Sequence, residues 1–252
     1  MRRAFWLLAI LGGCWCGGVR ANDPAMRQLV DKAIEAHGGA ANLNRFAGVT
    51  WKGVSRLYWQ GGQTVSTVTG ARQHGRAAML AVAGEAGGNR FELVRVVNGD
   101  QGWVLLNGKV QELPAPALAE ERERLYANWI ASLVPLLGEQ CQLSAAGEIA
   151  VNGKPALGVC VSFPGCREVT LYFDRESALL VKKDTRIQDL SRNGTEVLQE
   201  TFYTDYTLVD GVRTARQQQV RWDGKPYLDL ELNEIKAQPR LPEALFLRPT
   251  PN

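Results

Sequence analysis

The sequence predicts an α+β fold: one large antiparallel sheet or barrel, with helices packed against it. From residue 49 onward, apolar and polar residues alternate over most of the chain, a period typical of strands with one buried face. Asn-Gly and Asp-Gly pairs separate these extended runs, and such two-residue turns connect antiparallel neighbours. Two segments with helical periodicity supply the helices.

The first 21 residues have the features of an export signal. Arg2 and Arg3 precede a short apolar run, and Ala21 is a small residue suited to cleavage before Asn22. The apolar run is far shorter than the roughly 20 residues that span a membrane as a helix. We therefore expect a signal peptide at residues 1–21, a single domain at residues 22–252, a periplasmic or otherwise exported location, and no transmembrane span in the mature chain.

A second processing site is an open alternative. Leu11-Gly12-Gly13-Cys14 is similar to a lipobox, in which Cys14 would carry a lipid that anchors the protein to a membrane surface.

The net charge argues against nucleic-acid binding. Cleavage after residue 21 removes three arginines and no acid, which takes the 29 basic residues to 26, against 26 acidic residues. The mature chain would then have no net charge, whereas nucleic-acid binding needs a basic surface.

A helix opens the mature chain. Asp23 can cap it, Pro24 suits its first turn, and Gly38 and Gly39 follow its end. Its apolar residues recur at helical spacing and should pack against the sheet. They are Met26, Leu29, Val30, Ala33 and Ile34.

In the first strand, Val49, Trp51, Leu57 and Trp59 share one parity, so their side chains should share one face. A second helix is predicted at residues 117–134, with Trp129 and Leu133 on its apolar stripe. Its charge run, residues 120–124, should form a solvated face. Short strands continue to about residue 235, and the tail should return Leu245 and Phe246 to the core. No linker divides the chain, so one sheet is favoured over two domains.

Three cysteines remain after the signal peptide: Cys141, Cys160 and Cys166. In an oxidising compartment one pair could form a disulfide, and spacing alone does not choose the pair. Packing as three small apolar side chains is an equal alternative.

Residue patterns for catalysis are lacking. His37 should lie in the last turn of the first helix, and His74 in a solvated turn. No nucleophile elbow, phosphate-binding loop or dinucleotide fingerprint occurs, so we expect a non-catalytic protein with no metal and no cofactor. An enzyme would instead need a cleft in which carboxylates such as Asp205 or Asp210 meet.

Several segments resemble the periplasmic lipoprotein-carrier superfamily typified by LolA and LolB. They are His37-Gly38-Gly39 after an apolar helix, residues 147–159 (GEIAVNGKPALGV), 169–174 (VTLYFD), 200–206 (ETFYTDY) and 209–212 (VDGV). The resemblance covers residues 25–249. It implies a large curved antiparallel sheet, or half-open β-barrel, with helices covering its concave side and a cavity between them that takes the acyl chains of lipoproteins. We accordingly expect a monomeric carrier or sensor for a lipid or the acyl chains of a lipoprotein. It transfers no catalytic residue.

Parity and helical spacing suggest which residues would line such a cavity. The candidates are Leu29, Ile34, Trp129 and Leu133 from the helices, and Trp51, Leu57 and Trp59 from the first strand. The alternative function is a structural or protein-interaction module of the cell envelope. Such a module would have a closed core and would contact a protein partner through its strand edges.

Overall fold

The computed structural model describes residues 23–251, and within them thirteen strands form one antiparallel sheet. The predicted signal peptide and Cys14 lie outside this range. The strands are β1 (Gly48–Trp59), β2 (Gly62–Gln73), β3 (Ala77–Ala86), β4 (Asn89–Asn98), β5 (Gln101–Leu106), β6 (Lys109–Glu112), β7 (Gln142–Val151), β8 (Lys154–Ser162), β9 (Val169–Asp174), β10 (Leu180–Asp189), β11 (Thr195–Val209), β12 (Val212–Trp222) and β13 (Lys225–Gln238).

The strand order is β6-β5-β4-β3-β2-β1-β13-β12-β11-β10-β9-β8-β7. Consecutive strands are neighbours within β1–β6 and within β7–β13, and the pairing of β1 with β13 joins the two halves. The helices are α1 (Pro24–Ala36), α2 (Gly39–Arg45) and α3 (Ala115–Ala131), with 3₁₀ turns at Val134–Leu137, Leu190–Arg192 and Glu243–Phe246. Helix α3 lies between β6 and β7 in the sequence, so it leads the chain from one edge of the sheet to the other.

The contacts of α3 require the sheet to curl. This helix contacts β4 and also β9 and β10. In a flat sheet β4 and β10, seven strand positions apart, would be about 34 Å from each other. A helix with its side chains is only about 10–12 Å across. The two walls therefore fold around α3, which confirms the predicted half-open barrel with helices on the concave side.

Tight turns set the strand pairing as the sequence predicts. Five Asn-Gly or Asp-Gly pairs have both residues at positive φ; four of them are two-residue hairpin turns of the type I′ conformation, and Asn193-Gly194 ends the longer connection between β10 and β11. These pairs begin at Asn107, Asn152, Asn193, Asp210 and Asp223.

The main core lies between the helices and β7–β11. Val30, Ala33 and Ile34 of α1 pack there with Ile130 of α3 and Phe173 of β9. The Asp23 carboxylate accepts a hydrogen bond from the Ala25 N–H at 2.9 Å, which confirms the predicted cap. The apolar stripe of α1 is thus buried as predicted.

A second, smaller core lies on the opposite face of the sheet. Leu241 and Phe246 in the C-terminal segment pack there against Ala71, Val96 and Trp103. Phe246 is buried and Leu245 is partly buried, as expected. The tail therefore covers the outer face and leaves the concave side to the helices.

Candidate functional site

A cavity of about 200 Å³ lies between the helices and the middle of the sheet. It is bounded by α2, the C-terminal end of α3 and strands β1, β2, β10, β11, β12 and β13. Its lining residues are His37, Leu43, Phe46, Gly48, Val49, Arg72, His74, Asn128, Ala131, Ser132, Val134, Leu180, Tyr203, Tyr206, Val209, Val212, Arg213, Thr214, Ala215, Gln218, Ile235 and Ala237. Half of these side chains are aliphatic or Phe, and the lining contains no Asp or Glu.

The junction of α1 and α2 is fixed against β12 by a close backbone contact. Gly38 has φ +120°, and a Cβ on it would collide with the carbonyl oxygen of Gly211. Next to this contact, the Arg213 N–H donates to the His37 carbonyl oxygen at 2.9 Å. Only glycine can adopt this positive φ and also lie this close to the backbone of Gly211. The residue that ends α1, as predicted, therefore also fixes one end of the cavity.

His37 is a buried structural residue. Its Nδ1 lies 2.7 Å from the Ala33 carbonyl oxygen, and the Leu180 N–H donates to Nε2 at 3.4 Å. Burial lowers the pKa of His37, so a neutral ring that donates from Nδ1 and accepts at Nε2 satisfies both contacts. The imidazole thereby ties the end of α1 to β10.

Arg72 places a guanidinium in the cavity without a partner of opposite charge. It lies 5.2 Å from the centroid of the Trp51 ring, and it forms no ion pair or side-chain hydrogen bond with any described residue. The Trp51 ring covers Gly70, where a Cβ would collide with it. Burial lowers the pKa of Arg72, although arginine remains charged at any physiological pH.

Two neutral polar groups share this part of the cavity. Burial lowers the pKa of His74 to about 4, with a further contribution from Arg72, so its ring is neutral at pH 7. The Nδ1 atom of His74 is buried without a hydrogen-bond partner in the described part of the chain. Tyr203 is buried, and its phenol, whose pKa burial raises, forms no hydrogen bond with another described side chain. His74 was expected to be solvated, but the residue is half-buried and its Nδ1 is out of contact with solvent.

A buried lysine lies beyond the cavity wall. Lys183 on β10 is only 2% exposed, and its Nζ donates to Asn128 Oδ1 of α3 at 2.8 Å. Burial lowers the pKa of Lys183 to about 7, helped by the positive charges of Arg72 and Arg124. Asn128, which lines the cavity, thus connects this ammonium to the site.

Ion pairs connect α3 to both walls of the half-barrel. Glu121 pairs with Arg95 of β4 at 2.8 Å. Its neighbour Glu120 pairs with Arg167, just before β9, and also accepts a hydrogen bond from the Gln188 N–H of β10 at 3.0 Å. Glu120 is 7% exposed. The prediction that residues 120–124 form a solvated face is therefore wrong for these two carboxylates, because α3 lies inside the curl of the sheet.

The seven candidate lining residues lie in three places. Ile34 and Leu133 are in the main core, with Leu29 and Trp129 packed against it. Trp51, Leu57 and Trp59 share one face of β1, as predicted, because their cross-strand partners Gly70, Thr64 and Gly62 are all at even positions of β2. Leu57 and Trp59 are 39% and 48% exposed at one end of the concave side. None of the seven lines the 200 Å³ cavity, so as ligand contacts they stay predictions.

Sequence reasoning missed the polar end of the cavity. Arg72 and His74 follow the β-branched run of β2, where a strand end followed by a turn suggests solvent exposure. One signal was available. Trp51 pairs with Gly70 across β1 and β2, and Arg72 is two residues beyond Gly70, so both side chains lie on the same face of the sheet. That signal becomes informative only when the pairing of β1 with β2 is known.

The other candidate groups from the sequence are the cysteines and two aspartates. Cys141 and Cys166 are free thiols, and Cys141 is buried. No cluster of three His, Cys, Asp or Glu side chains suited to a metal occurs within residues 23–251. Asp205 pairs with Arg216 at 3.8 Å and is half exposed, while Asp210 forms a hairpin turn. In the same residues we find no helix long and apolar enough to cross a membrane.

The half-barrel is similar in fold to several solved structures, one of which is a LolA superfamily protein. Similar solved structures include a LolA superfamily protein from Nitrosomonas europaea, with a TM-score of 0.56 and 10% identity over 91% of this chain and 98% of that one. A DUF1329 family protein from Desulfovibrio piger has a TM-score of 0.57 and 13% identity over 88% and 97% of the two chains. A domain assigned to outer membrane lipoprotein sorting, from Vibrio parahaemolyticus, has a TM-score of 0.52 and 10% identity over 88% and 96%.

At these identities the likeness shows a shared fold. No protein-family model matches the sequence, and no curated protein matches it.

Proposed function

We propose that this protein is an exported, non-catalytic binding protein of the bacterial envelope that holds an acyl chain of a lipid or lipoprotein, as a carrier or sensor. The observation that carries the proposal is the cavity between helices and sheet, whose lining includes the apolar side chains of Leu43, Phe46, Val49, Val212 and Ile235. Transfer of an acyl chain from water to such a wall gains about 0.8 kcal/mol per methylene. The names of two structural neighbours, which refer to LolA and to lipoprotein sorting, support the same class of ligand.

The size of the cavity limits what it encloses. Its 200 Å³ is below the roughly 300–1,000 Å³ of pockets that bury a drug-sized ligand. The cavity therefore suits part of one chain. A lipid with several chains would need α3 to move away from the sheet.

Lipid extraction tests the proposal directly. The full chain is purified from the envelope fraction of its host under mild conditions, extracted with organic solvent and analysed by mass spectrometry. We expect a lipid at close to one equivalent. Delipidated protein should also bind a fluorescent fatty acid.

A cavity-filling variant provides the specific control. Ala237 lines the cavity, so Ala237→Phe should reduce probe binding at least fivefold. Ala83→Phe, at an exposed position of β3, makes the same change outside the cavity and should leave binding unchanged. Protein that is empty after mild purification and does not bind the probe would refute the proposal.

The alternative, an envelope protein-interaction module, is favoured by one observation. The sheet does not close, so β6 and β7 are edge strands within the described chain. An edge strand can pair with a strand of a partner. Affinity capture with the full chain distinguishes the two: a stoichiometric protein with no lipid would support the module.

A further inference from the structure

We propose that the cavity selects an amphiphile with an anionic head, a carboxylate or phosphate on one acyl chain, and that Arg72 binds this head. The inference rests on the proposed function, because it assigns the head group of the acyl ligand.

The first argument is the missing counter-charge of Arg72. A charge removed from water is normally paired with an opposite charge or satisfied by hydrogen bonds. Arg72 is half-buried, and the favourable contacts of its charge in the described chain are with the face of Trp51 and the nearby Tyr203 phenol, whereas His74 and Lys183 are close enough for its positive charge to lower their pKa values. A cation–π contact offsets desolvation only in part. An anion in the cavity would supply the missing partner, and a guanidinium can bind a carboxylate or phosphate through two parallel hydrogen bonds.

The second argument is the charge of the whole lining. Arg72 and Arg213 are its two charged side chains, and both are positive. Arg213 is exposed, so it lies where a ligand would approach. A cavity lined by one sign of charge concentrates ligands of the opposite sign. A neutral head group could accept hydrogen bonds here but would gain no charge attraction.

The third argument is the presence of neutral donors beside Arg72. His74 has a low pKa and Tyr203 a raised one, so both are uncharged at pH 7 and each holds a proton that it can donate. The Nδ1 atom of His74 has no hydrogen-bond partner in the described chain, and the Tyr203 phenol forms no hydrogen bond with another described side chain. Donors of this kind can bind an oxyanion without adding charge. With the apolar wall on the other side, the cavity has one polar end and one apolar end.

Binding of matched ligands tests the inference on delipidated full-length protein by isothermal titration calorimetry at pH 7. Laurate and dodecyl phosphate carry an anionic head, monolaurin carries the same laurate chain on a neutral head, and acetate and inorganic phosphate carry no chain. We expect laurate and dodecyl phosphate to bind at least tenfold more tightly than monolaurin. Acetate and phosphate should bind at least a hundredfold more weakly than the chain-bearing anions.

Variants at Arg72 identify the group responsible. Arg72→Gln should weaken the binding of laurate and dodecyl phosphate at least tenfold and the binding of monolaurin less than twofold. Arg72→Lys should keep part of the preference for the anionic ligands. Arg56→Gln removes an exposed arginine on the opposite face of the neighbouring strand and should change nothing. Circular dichroism and urea unfolding confirm that each variant is folded.

The outcomes separate this inference from the proposed function. Equal binding of laurate and monolaurin, or no effect of Arg72→Gln on the anions, would overturn the inference and leave acyl-chain binding intact. Tight binding of acetate or phosphate alone would replace the amphiphile with a small anion. Failure of every chain-bearing ligand would refute the proposed function itself.

Discussion

Replacement of Glu120 by glutamine tests whether α3 is tied to the sheet by a buried ion pair. Glu120 is 7% exposed. Its carboxylate accepts a hydrogen bond from the Arg167 guanidinium at 2.8 Å and another from the Gln188 N–H at 3.0 Å. Loss of one member of a fully buried pair costs about 3–5 kcal/mol. Arg167 is 32% exposed, so water can partly replace its partner. We therefore expect Glu120→Gln to reduce the free energy of unfolding by about 2 kcal/mol.

Urea unfolding at pH 7 measures this change, and Glu196→Gln is its control. Glu196 pairs with Arg186 at 3.3 Å, but both side chains are more than 60% exposed. Such a pair contributes at most about 0.5 kcal/mol. A Glu120→Gln effect no larger than that of Glu196→Gln would refute the assignment of α3 as a tethered helix.

The pH dependence of the Glu120→Gln effect gives a second readout. Burial by itself would raise the pKa of Glu120, but the hydrogen bonds from Arg167 and Gln188 lower it below its ordinary value of 4.5. A carboxylate with a lowered pKa in the folded state stabilises the fold above the unfolded-state pKa. That contribution disappears as pH falls through the folded-state pKa. The difference between wild type and Glu120→Gln should therefore shrink below about pH 4.5, and a constant difference would contradict the argument.

Three further predictions concern the buried features of the fold. Because the Lys183 pKa falls from 10.5 to about 7, the unfolded state binds more protons between these values. The free energy of unfolding of the wild type should therefore rise, relative to that of Lys183→Met, by up to about 1.4 kcal/mol per pH unit between pH 7 and 9. Urea unfolding at several pH values measures this difference, and a difference that does not change with pH would show that the Lys183 ammonium is solvated. Gly38→Ala should lower stability by about 2 kcal/mol or more, against about 1 kcal/mol for Gly87→Ala, where φ is also positive but no atom lies within 4 Å of the new Cβ. In maleimide labelling, Cys141 should react only after unfolding, and rapid native labelling would place it at the surface.

The strand pairing was predictable because its determinants are local. An Asn-Gly turn sets the register of the two strands that it joins, and alternation then assigns the faces of those strands. This is why the common face of Trp51, Leu57 and Trp59 could be predicted from sequence. The capping residues and the apolar stripe of α1 are likewise determined by residues that are close together in the sequence.

A bulge shows where alternation stops being sufficient. Lys52 pairs with Glu234 and Gly53 with Leu232, so Asn233 is an extra residue in β13. Leu232 and Ile235 therefore both face the concave side although their parities differ, since they pair with Gly53 and Trp51. No local signal in the sequence marks this position.

The charged interior was unpredictable for a different reason. A sequence shows that Glu120 is on a helix and Arg72 at the end of a strand, and both positions are usually solvated. The burial of Glu120 and the partial burial of Arg72 depend on the curl of the sheet, which encloses α3 between strands seven and more positions apart. Prediction of the cavity would have required that three-dimensional arrangement.

The pairing of the first strand with the last has a consequence for how the chain reaches its native state. Within each half, neighbouring hairpins can form as soon as their residues are available, but the β1–β13 ladder joins Gly48 to Gln238. Closing a loop of that length costs more chain entropy than forming any hairpin in the protein. Assembly of the half-barrel should therefore finish at this central seam, after nearly the whole polypeptide has been made, and a chain truncated before β13 would leave both halves with an uncovered edge at the middle of the sheet.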